Sequence, residues 1–245
     1  MSRSKERSSE GKTIKLVSIA INKVIETSIP RACVPPNWEK VNTEKPEKST
    51  IYYIIYSDDL GKSWMQSVVP TTKTLTSIDC TDESICWAVG HDAYILKTTD
   101  GGKTWNIQFS DEVFDAPLLS ISMFNNRMGI AVGAFAKSLR TSDGGSTWEE
   151  FYVTEDEFQP HLNNVLTEGE NAFVAGELGL FYYSSDYGES WNTYETGYNG
   201  SLWSSLLIKD DQLILIGMSG NIILATQKDN KDFFVRFYNC DGSEA

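Results

Sequence analysis

The sequence has few of the residues on which metal and cofactor chemistry depends. Among its 245 residues there are two histidines, His91 and His161, and four cysteines, and no Cys-x-x-Cys pair occurs. Structural and catalytic zinc sites need clustered Cys and His ligands. The sequence therefore predicts neither a bound metal nor a cofactor.

Long hydrophobic runs are missing as well. The longest early apolar stretch, LVSIAI, lies between Lys15 and Lys23. It is shorter than the hydrophobic part of a secretory signal and far shorter than a membrane span. We therefore expect no membrane insertion and a cytoplasmic location at synthesis. A protein of a virus particle would also fit, because it reaches its particle without a signal.

Positive charge is in the minority. The 21 Lys and Arg face 34 Asp and Glu, which gives a net charge of −13. Residues 1–12 are polar and carry four basic against two acidic side chains, so the remaining chain carries −15. We expect residues 1–12 to be a disordered tail. An acidic body disfavours nucleic acid as a partner, since binding to phosphates requires Lys and Arg.

A repeated segment dominates the rest of the sequence. It reads YSDDLGKSW, KTTDGGKTW, RTSDGGSTW and YSSDYGESW, ending at Trp64, Trp105, Trp148 and Trp191. The spacings are 41, 43 and 43 residues. An eroded fifth copy places Phe233 42 residues after Trp191. One supersecondary unit per repeat is the expected consequence. We call the four intact segments the Asp-Gly turns.

Each repeat contains four short apolar runs of strand length and shows no sustained helical period. Four antiparallel strands in about 40 to 45 residues are typical of a propeller blade. The sequence therefore predicts an all-β fold, a single β-propeller over residues 13–245 with five four-stranded blades. The later blades are expected at about 74–110, 118–153, 162–196 and 203–239.

The first blade is irregular. It is expected at about 13–70, with TIKLVSIAIN as its inner strand, IYYIIYS as its third, and an inserted loop at about 24–50. A ring must also close, because an open sheet edge invites aggregation. We therefore expect the N-terminal strand to pack near the fifth blade.

The Asp-Gly turns connect the third and fourth strands in this prediction. Glycine can take a positive φ there, the Asp can accept hydrogen bonds from its own turn, and the Trp is expected to bury its ring beside the next sheet. A structural role is thus predicted for these residues: Asp59, Gly61, Trp64, Asp100, Gly102, Trp105, Asp143, Gly145, Trp148, Asp186, Gly188 and Trp191.

The turns identify the sequence as similar to Asp-box, or BNR, repeat proteins. The segment CWAVGHDAYILKTTDGGKTW most resembles the photosystem II stability and assembly factor-like propellers. The resemblance implies the propeller fold but only weakly a function, because sialidases and xyloglucan-degrading glycosidases also carry Asp boxes. Members of the assembly-factor family usually have seven blades, a signal sequence and a basic patch, and this sequence departs on all three.

Cys80 and Cys86 flank a short turn between two predicted strands, where they can face each other. That geometry permits a disulfide. Two half-buried thiols in a reducing compartment are the alternative we favour, because cytosolic disulfides are rare.

Two enzymatic alternatives follow from the resemblance. A sialidase needs three converging Arg, but those of this sequence fall in the tail, in a turn and on an outer strand, so they are not expected to meet. A glycosidase needs two carboxylates beside a cleft. The densest acidic segment contains Glu149, Glu150, Glu155, Asp156 and Glu157, and like charges on a loop are normally just hydrated.

A binding surface is expected opposite the Asp-Gly turns, on the loops that follow the second and fourth strands. Apolar tips among carboxylates there would suit a protein partner with a basic rim. The candidate residues are His91, Asp92, Phe135, Glu177 and Met218 near the axis, ringed by Phe114, Phe158 and Tyr198.

The sequence thus favours a non-catalytic propeller that binds protein partners within a larger assembly. Two contexts stay open, an assembly-factor-like protein and a structural component of a phage particle or tail. A glycan-binding or glycoside-hydrolysing propeller is the alternative function.

Overall fold

The computed structural model describes residues 17–20, 53–113, 116–154, 158–209, 212–229 and 232–238. Over these residues the chain forms nineteen β-strands in five antiparallel sheets. The helical segments among the described residues are three single 3₁₀ turns, His91–Ala93, Ala134–Ala136 and Met218–Gly220. The predicted all-β propeller architecture is therefore confirmed. Within the described ranges, no helix has the length and apolar character needed to cross a bilayer.

Sheet 1 differs from the prediction. Its strands are β1 (Val17–Ala20), β2 (Tyr53–Tyr56) and β3 (Met65–Gln66), in that order. β1 pairs directly with β2, so it occupies the second-strand position rather than the predicted innermost one. Only three strands of this sheet fall within the described residues, and the expected insertion at about 24–50 lies outside them.

Sheets 2 and 3 each have four strands in sequence order. Sheet 2 contains β4 (Leu75–Cys80), β5 (Cys86–Gly90), β6 (Ile95–Thr98) and β7 (Asn106–Phe109). Sheet 3 contains β8 (Leu118–Met123), β9 (Gly129–Gly133), β10 (Ser138–Thr141) and β11 (Glu149–Glu150). β5 and β9 are buried along their whole length, as strands covered on both faces must be.

Sheets 4 and 5 repeat this arrangement. Sheet 4 contains β12 (Leu162–Glu168), β13 (Asn171–Gly176), β14 (Leu180–Ser184) and β15 (Asn192–Glu195). Sheet 5 contains β16 (Leu202–Lys209), β17 (Gln212–Gly217), β18 (Ile222–Asp229) and β19 (Asp232–Tyr238).

Side-chain alternation along the second strand of each blade builds the core between sheets. In β5, Cys86 and Ala88 pack toward sheet 1 with Ile54, whereas Trp87 and Val89 pack toward sheet 3. The same two-sided packing joins sheet 3 to sheet 4 and sheet 4 to sheet 5. Because each of sheets 2, 3 and 4 contributes to two clusters, the five sheets stack face to face in chain order.

The Trp residues of the Asp-Gly turns pack against the preceding sheet, whereas the prediction placed them beside the next sheet. Trp105 lies with Ile54 of the preceding sheet, and Trp148 with Trp87 of the preceding sheet. Trp191 likewise packs on the cluster of sheet 3 residues around Ile130. Trp64, on sheet 1, has no preceding sheet in the described chain and is 41% exposed. The ring is therefore buried only where an earlier sheet supplies the cover.

The predicted ring closure is not seen in the described chain. β1 packs against β2 and against β4 of sheet 2. Several outward side chains of sheet 5, which such a closure would cover, are exposed instead, among them Leu206, Ile216 and Phe234.

The Asp-Gly turns are held together by hydrogen bonds within each turn. Asp100 Oδ1 accepts from the Lys103 and Thr104 backbone N–H groups at 3.0 and 2.9 Å, and its Oδ2 accepts from Thr104 Oγ1 at 2.6 Å. The Gly102 N–H donates to Thr98 Oγ1 at 3.1 Å, and Gly102 takes a φ of +85°, which glycine adopts without a Cβ clash. Asp59, Asp143 and Asp186 repeat this pattern.

These bonds hold the Asp side chains ionised. Burial opposes ionisation of Asp100, but hydrogen bonds from Thr104, Thr98 and Lys103 outweigh it and lower its pKa from 3.8 to about 2. The Ser63 hydroxyl and backbone N–H lower the pKa of Asp59 to about 2 in the same way. Since both oxygens of each carboxylate are engaged inside the turn, these residues act on their own backbone.

Replacing Asp100 with Ala is expected to lower the free energy of unfolding by about 1–3 kcal/mol, because the turn donors lose their acceptor. The folded pKa is depressed, so this contribution is present above pH ~4 and is lost as the pH falls from ~4 to ~2. Thermal unfolding of wild type and Asp100→Ala across that range measures both effects. The stability of Asp100→Ala should decrease less than that of wild type as the pH falls through this range. Loss of partner binding without a change in melting temperature would contradict the structural role.

Cys80 and Cys86 are joined by a disulfide at the end of the β4–β5 hairpin. The two residues are directly opposite each other in the ladder, and Cys86 lies in the core between sheets 1 and 2. The structure thus has the bonded arrangement rather than the two free thiols that the sequence favoured. The predicted cross-strand position of the two residues is present, and the expectation of free thiols was wrong.

Candidate binding face

The two ends of the sheets carry different kinds of loop. The Asp-Gly turns lie at one end. At the other end lie the turns between the second and third strands, together with the described parts of the links between sheets, residues 110–113, 116–117, 151–154, 158–161 and 196–201. We call this second end the binding face.

Backbone hydrogen bonds anchor each turn of the binding face to the preceding link. The Ala134 N–H donates to the Pro117 carbonyl at 2.9 Å, and the Met218 N–H donates to the Ser201 carbonyl at 3.2 Å. Gly133 makes the first contact possible, because a Cβ there would lie 2.2 Å from the Pro117 carbonyl oxygen. The loops are therefore fixed in place by the sheets beneath them.

Apolar side chains project from this face on successive sheets. Phe135, Phe158, Leu178 and Met218 are between 49% and 54% exposed. They lie on sheet 3, on the link from sheet 3 to sheet 4, on sheet 4 and on sheet 5, so they follow one another across neighbouring sheets. Large apolar side chains exposed in succession are typical of an interaction surface.

Two of the other predicted residues, Glu177 and Tyr198, support these tips, together with His161, which the sequence did not assign to this face. His161 Nδ1 lies 3.4 Å from the Phe135 backbone N–H, and the two rings are 4.9 Å apart. Glu177 Oε2 accepts the His161 N–H at 2.9 Å, and the Tyr198 hydroxyl donates to the Met218 carbonyl at 3.2 Å. His91 is exposed.

Asp92 is a correction to the predicted site. Its side chain is buried and forms an ion pair with Lys73, so it stabilises the loop and does not face a partner. Phe114 and the acidic residues Glu155, Asp156 and Glu157 lie outside the described residues.

Three exposed apolar residues of this face were missed by the sequence prediction. Leu178 occupies the position of Phe135, two residues after the strand-ending glycine, so aligning the turns would have found it. Val113 and Tyr152 lie in the links, where no repeat pattern marks them.

The buried Lys137 stabilises one of the links of the binding face through two ion pairs. The Lys137 ammonium lies 3.1 Å from Asp111 and 2.8 Å from Glu150, and its side chain is nearly inaccessible. Burial alone would lower its pKa, but the hydrogen bonds to Glu150 and Asp111 raise it. Glu150, one of the acidic residues considered for a glycosidase, is thereby engaged in fixing the link that carries Val113.

A small cleft lies at the other end of the sheets, beside the Asp-Gly turns. A cleft of about 130 Å³ is lined by residues that include Phe124, Arg140, Tyr187 and Glu189. The Arg140 guanidinium and the Glu189 carboxylate form an ion pair at 2.9 Å. Ligand pockets usually measure about 300–1,000 Å³. Among the described residues, no three His, Cys, Asp or Glu side chains cluster in a way that would hold a metal ion.

Solved structures of other proteins share the fold. YCF48 bound to a D1 peptide is 18% identical, with a TM-score of 0.51 over 73% of this chain and 69% of that one. YCF48 from Cyanidioschyzon merolae is 12% identical, with a TM-score of 0.57 over 75% of this chain and 63% of that one. An ancestral GH74 enzyme is 12% identical, with a TM-score of 0.53, and this chain spans 37% of its length.

At these identities the structural likeness establishes the fold alone. No curated protein matches the sequence significantly. The family model of the photosynthesis system II assembly factor YCF48 matches residues 57–128 and 108–199, which together are more than half of the chain. The chain therefore belongs to the photosynthesis system II assembly factor YCF48 family.

Proposed function

We propose that this chain is a non-catalytic propeller that binds a protein partner through its binding face and serves in the assembly of a larger complex. One observation carries the proposal, namely the succession of exposed apolar side chains Phe135, Phe158, Leu178 and Met218 on three neighbouring sheets. Apolar tips of this kind gain free energy only when a partner covers them.

Backbone strain supports the same conclusion. Phe135 and Leu178 take φ values of 55° and 57°. A residue with a Cβ is disfavoured in this region by roughly 1–2 kcal/mol, and Gly or Asn would relieve the cost. A strained position that nevertheless holds a large exposed apolar side chain is better explained by recognition than by folding.

The opposite end does not offer an equivalent patch. Leu60 and Tyr187 are also left-handed there, on sheets 1 and 4. Sheets 2 and 3, which lie between them, have glycine at the corresponding turn positions, Gly101 and Gly144. The apolar side chains at that end are therefore separated rather than successive.

The chemistry of the partner follows from the charges. Glu112 and Glu177 lie among the apolar tips, and the chain has a net charge of −13. We propose a peptide or loop with apolar anchors flanked by Lys or Arg. The relative solved with a D1 peptide supports a protein segment as the ligand class. Family membership favours the assembly-factor context over a phage component.

Affinity capture from the native source tests the proposal, with wild type and Phe135→Ala as baits beside a glycan array. Wild type should retain a protein partner that Phe135→Ala loses. The matched control is Ile107→Ala, which truncates another exposed apolar side chain, on the outer strand β7. A saccharide bound by wild type and lost with Phe135→Ala, together with no protein partner, would overturn the proposal.

A further inference from the structure

The link between sheets 4 and 5 contains the only Asn-Gly pair of the sequence, Asn199 and Gly200. In such a pair the glycine nitrogen can attack the side-chain carbon Cγ of the asparagine, because glycine has no Cβ to hinder the approach. A bond forms between Gly200 N and Asn199 Cγ, and the Cγ–Nδ2 bond breaks. The proton of the attacking nitrogen leaves with the side-chain nitrogen as ammonia. The product is a cyclic succinimide.

Water completes the reaction by opening the succinimide ring. Cleavage of one ring C–N bond gives aspartate, with the backbone restored. Cleavage of the other gives isoaspartate, in which the backbone runs through the side-chain carbon. Both products carry a carboxylate, which is ionised at neutral pH. The only co-reactant is water, so the conditions for the reaction are an accessible amide and a free glycine nitrogen.

The Asp-Gly turns contain similar pairs whose glycine nitrogen is not free. The Gly101 N–H donates to the Ser84 carbonyl at 3.0 Å. The Gly144 N–H donates to the Arg127 carbonyl at 2.8 Å. Each hydrogen bond directs the nitrogen toward another loop and away from the side chain that precedes it, so ring closure would first have to break that bond.

The carboxylates of the same turns are protected too. Asp143 accepts the Thr147 N–H at 2.9 Å and the Thr147 hydroxyl at 2.7 Å. These bonds lower the pKa of Asp143 to about 2. An ionised carboxylate resists attack by an amide nitrogen, because it carries negative charge and has no good leaving group. Asp100 is engaged by Thr104 in the same way.

Asn199 and Gly200 have neither form of protection. Asn199 is exposed. Among the described residues, nothing forms a hydrogen bond with the Asn199 side chain or with the Gly200 N–H. The pair lies in the link 196–201, outside the ladders of β15 and β16, so no strand pairing restrains it. Its neutral amide is also a better electrophile than an ionised carboxylate.

The carbonyl groups that follow Asn199 anchor two turns of the binding face. The Gly179 N–H, next to Leu178, donates to the Gly200 carbonyl at 2.7 Å. The Met218 N–H donates to the Ser201 carbonyl at 3.2 Å. Isoaspartate inserts one more carbon–carbon bond, ~1.5 Å long, into the main chain directly before these two acceptors. The insertion therefore displaces both of them from their donors.

We propose that Asn199 is a site of spontaneous modification, which reacts with Gly200 to give aspartate and isoaspartate, and that isoaspartate loosens the turns carrying Leu178 and Met218. The consequence for a partner rests on the proposed function. Loosened tips lose more conformational entropy on binding, so the modified chain should hold its partner more weakly.

Peptide mapping by mass spectrometry tests the modification after the folded full chain has been incubated at mildly alkaline pH, which favours loss of the Gly200 proton. Asn192, exposed in β15 and followed by Thr193, is the internal control. Asn199 should react at least about tenfold faster, a barrier difference of about 1.4 kcal/mol. Equal rates at Asn199 and Asn192 would overturn the site. An isoaspartate-specific methyltransferase identifies the isoaspartate product.

Unfolding in urea tests the protection of the Asp-Gly turns. At mildly acidic pH the unfolded chain should form isoaspartate at Asp100 and Asp143, because both turns have lost their hydrogen bonds. The folded chain at the same pH should keep normal linkages at both positions. Isoaspartate formed equally fast in the folded and unfolded chains would contradict the contrast on which the assignment of Asn199 depends.

Hydrogen exchange tests the loosening. After incubation, the Gly179 and Met218 N–H groups of wild type should lose much of their protection. Asn199→Gln is the matched variant, because its longer side chain closes a ring far more slowly, and it should keep that protection. Full protection in a sample that mapping shows to be mostly isoaspartate would overturn the loosening. Neither measurement uses a partner, so its outcome is separate from that of affinity capture.

Discussion

Gly133→Ala is expected to lower the free energy of unfolding by about 3 kcal/mol and the melting temperature by roughly 6–12 °C, although it adds a single methyl group. Gly133 has an extended backbone, so the cost does not come from a forbidden φ. The added Cβ would lie 2.2 Å from the Pro117 carbonyl oxygen and 2.8 Å from the Leu118 Cα. Both atoms are backbone, so no side chain can rotate away.

The chain supplies its own control for this substitution. Gly176 has the same place in sheet 4, but a Cβ there would lie 3.2 Å from the nearest atom, the His161 carbonyl oxygen. Gly176→Ala should therefore lower the melting temperature much less than Gly133→Ala. Gly90→Ala, with a distance of 2.1 Å to the Thr74 carbonyl oxygen, should behave like Gly133→Ala. Differential scanning calorimetry ranks the three variants, and equal effects at Gly133 and Gly176 would contradict the steric explanation.

The regular parts of this fold were predictable because their causes are local. A turn such as Thr98 to Trp105 carries its own hydrogen-bond acceptors and its own glycine, so it can be recognised without knowing what surrounds it. Repetition every 41 to 43 residues then predicts the sheet that each turn closes. The same repetition places a turn after the strand-ending glycines Gly133, Gly176 and Gly217.

The parts that depend on distant neighbours were not predictable. β1 joins β2 across 32 intervening residues, and no local pattern sets which sheet position it takes. The direction of the Trp105 ring depends on the neighbouring sheet that supplies Ile54. Asp92 was predicted to be an exposed carboxylate because its ion-pair partner, Lys73, lies outside its own turn. In each case the deciding contact comes from another strand or link.

The two ends of the molecule differ in their hydrogen bonding and in their exposed apolar side chains. At the Asp-Gly end, the Asp carboxylates are paired within each turn and stabilise it. At the binding face the turns are secured by links and by buried Lys137, and their apolar tips stay exposed. Rigid loops with uncovered anchors lose little conformational entropy on binding, which favours affinity.

Phe135→Asn is expected to separate binding from stability. Asn tolerates a left-handed φ better than Phe, so the melting temperature should stay the same or rise. The exposed ring is lost, so dissociation of the captured partner should become about 30-fold faster, as removal of an anchor worth about 2 kcal/mol implies. Surface plasmon resonance gives the rate, and calorimetry gives the stability.

Glu112→Gln is the companion variant, because the Glu112 carboxylate is exposed beside the apolar tips, where it accepts a hydrogen bond from the Tyr94 hydroxyl at 3.0 Å. Removing a rim charge acts mainly on encounter, so association should slow and lose part of its salt dependence while dissociation changes little. Faster dissociation of Phe135→Asn together with slower association of Glu112→Gln would support a partner that covers Phe135 and has basic residues near Glu112. If Phe135→Asn left dissociation unchanged while the partner still bound, the anchor would have to lie elsewhere, and the binding face would be wrong.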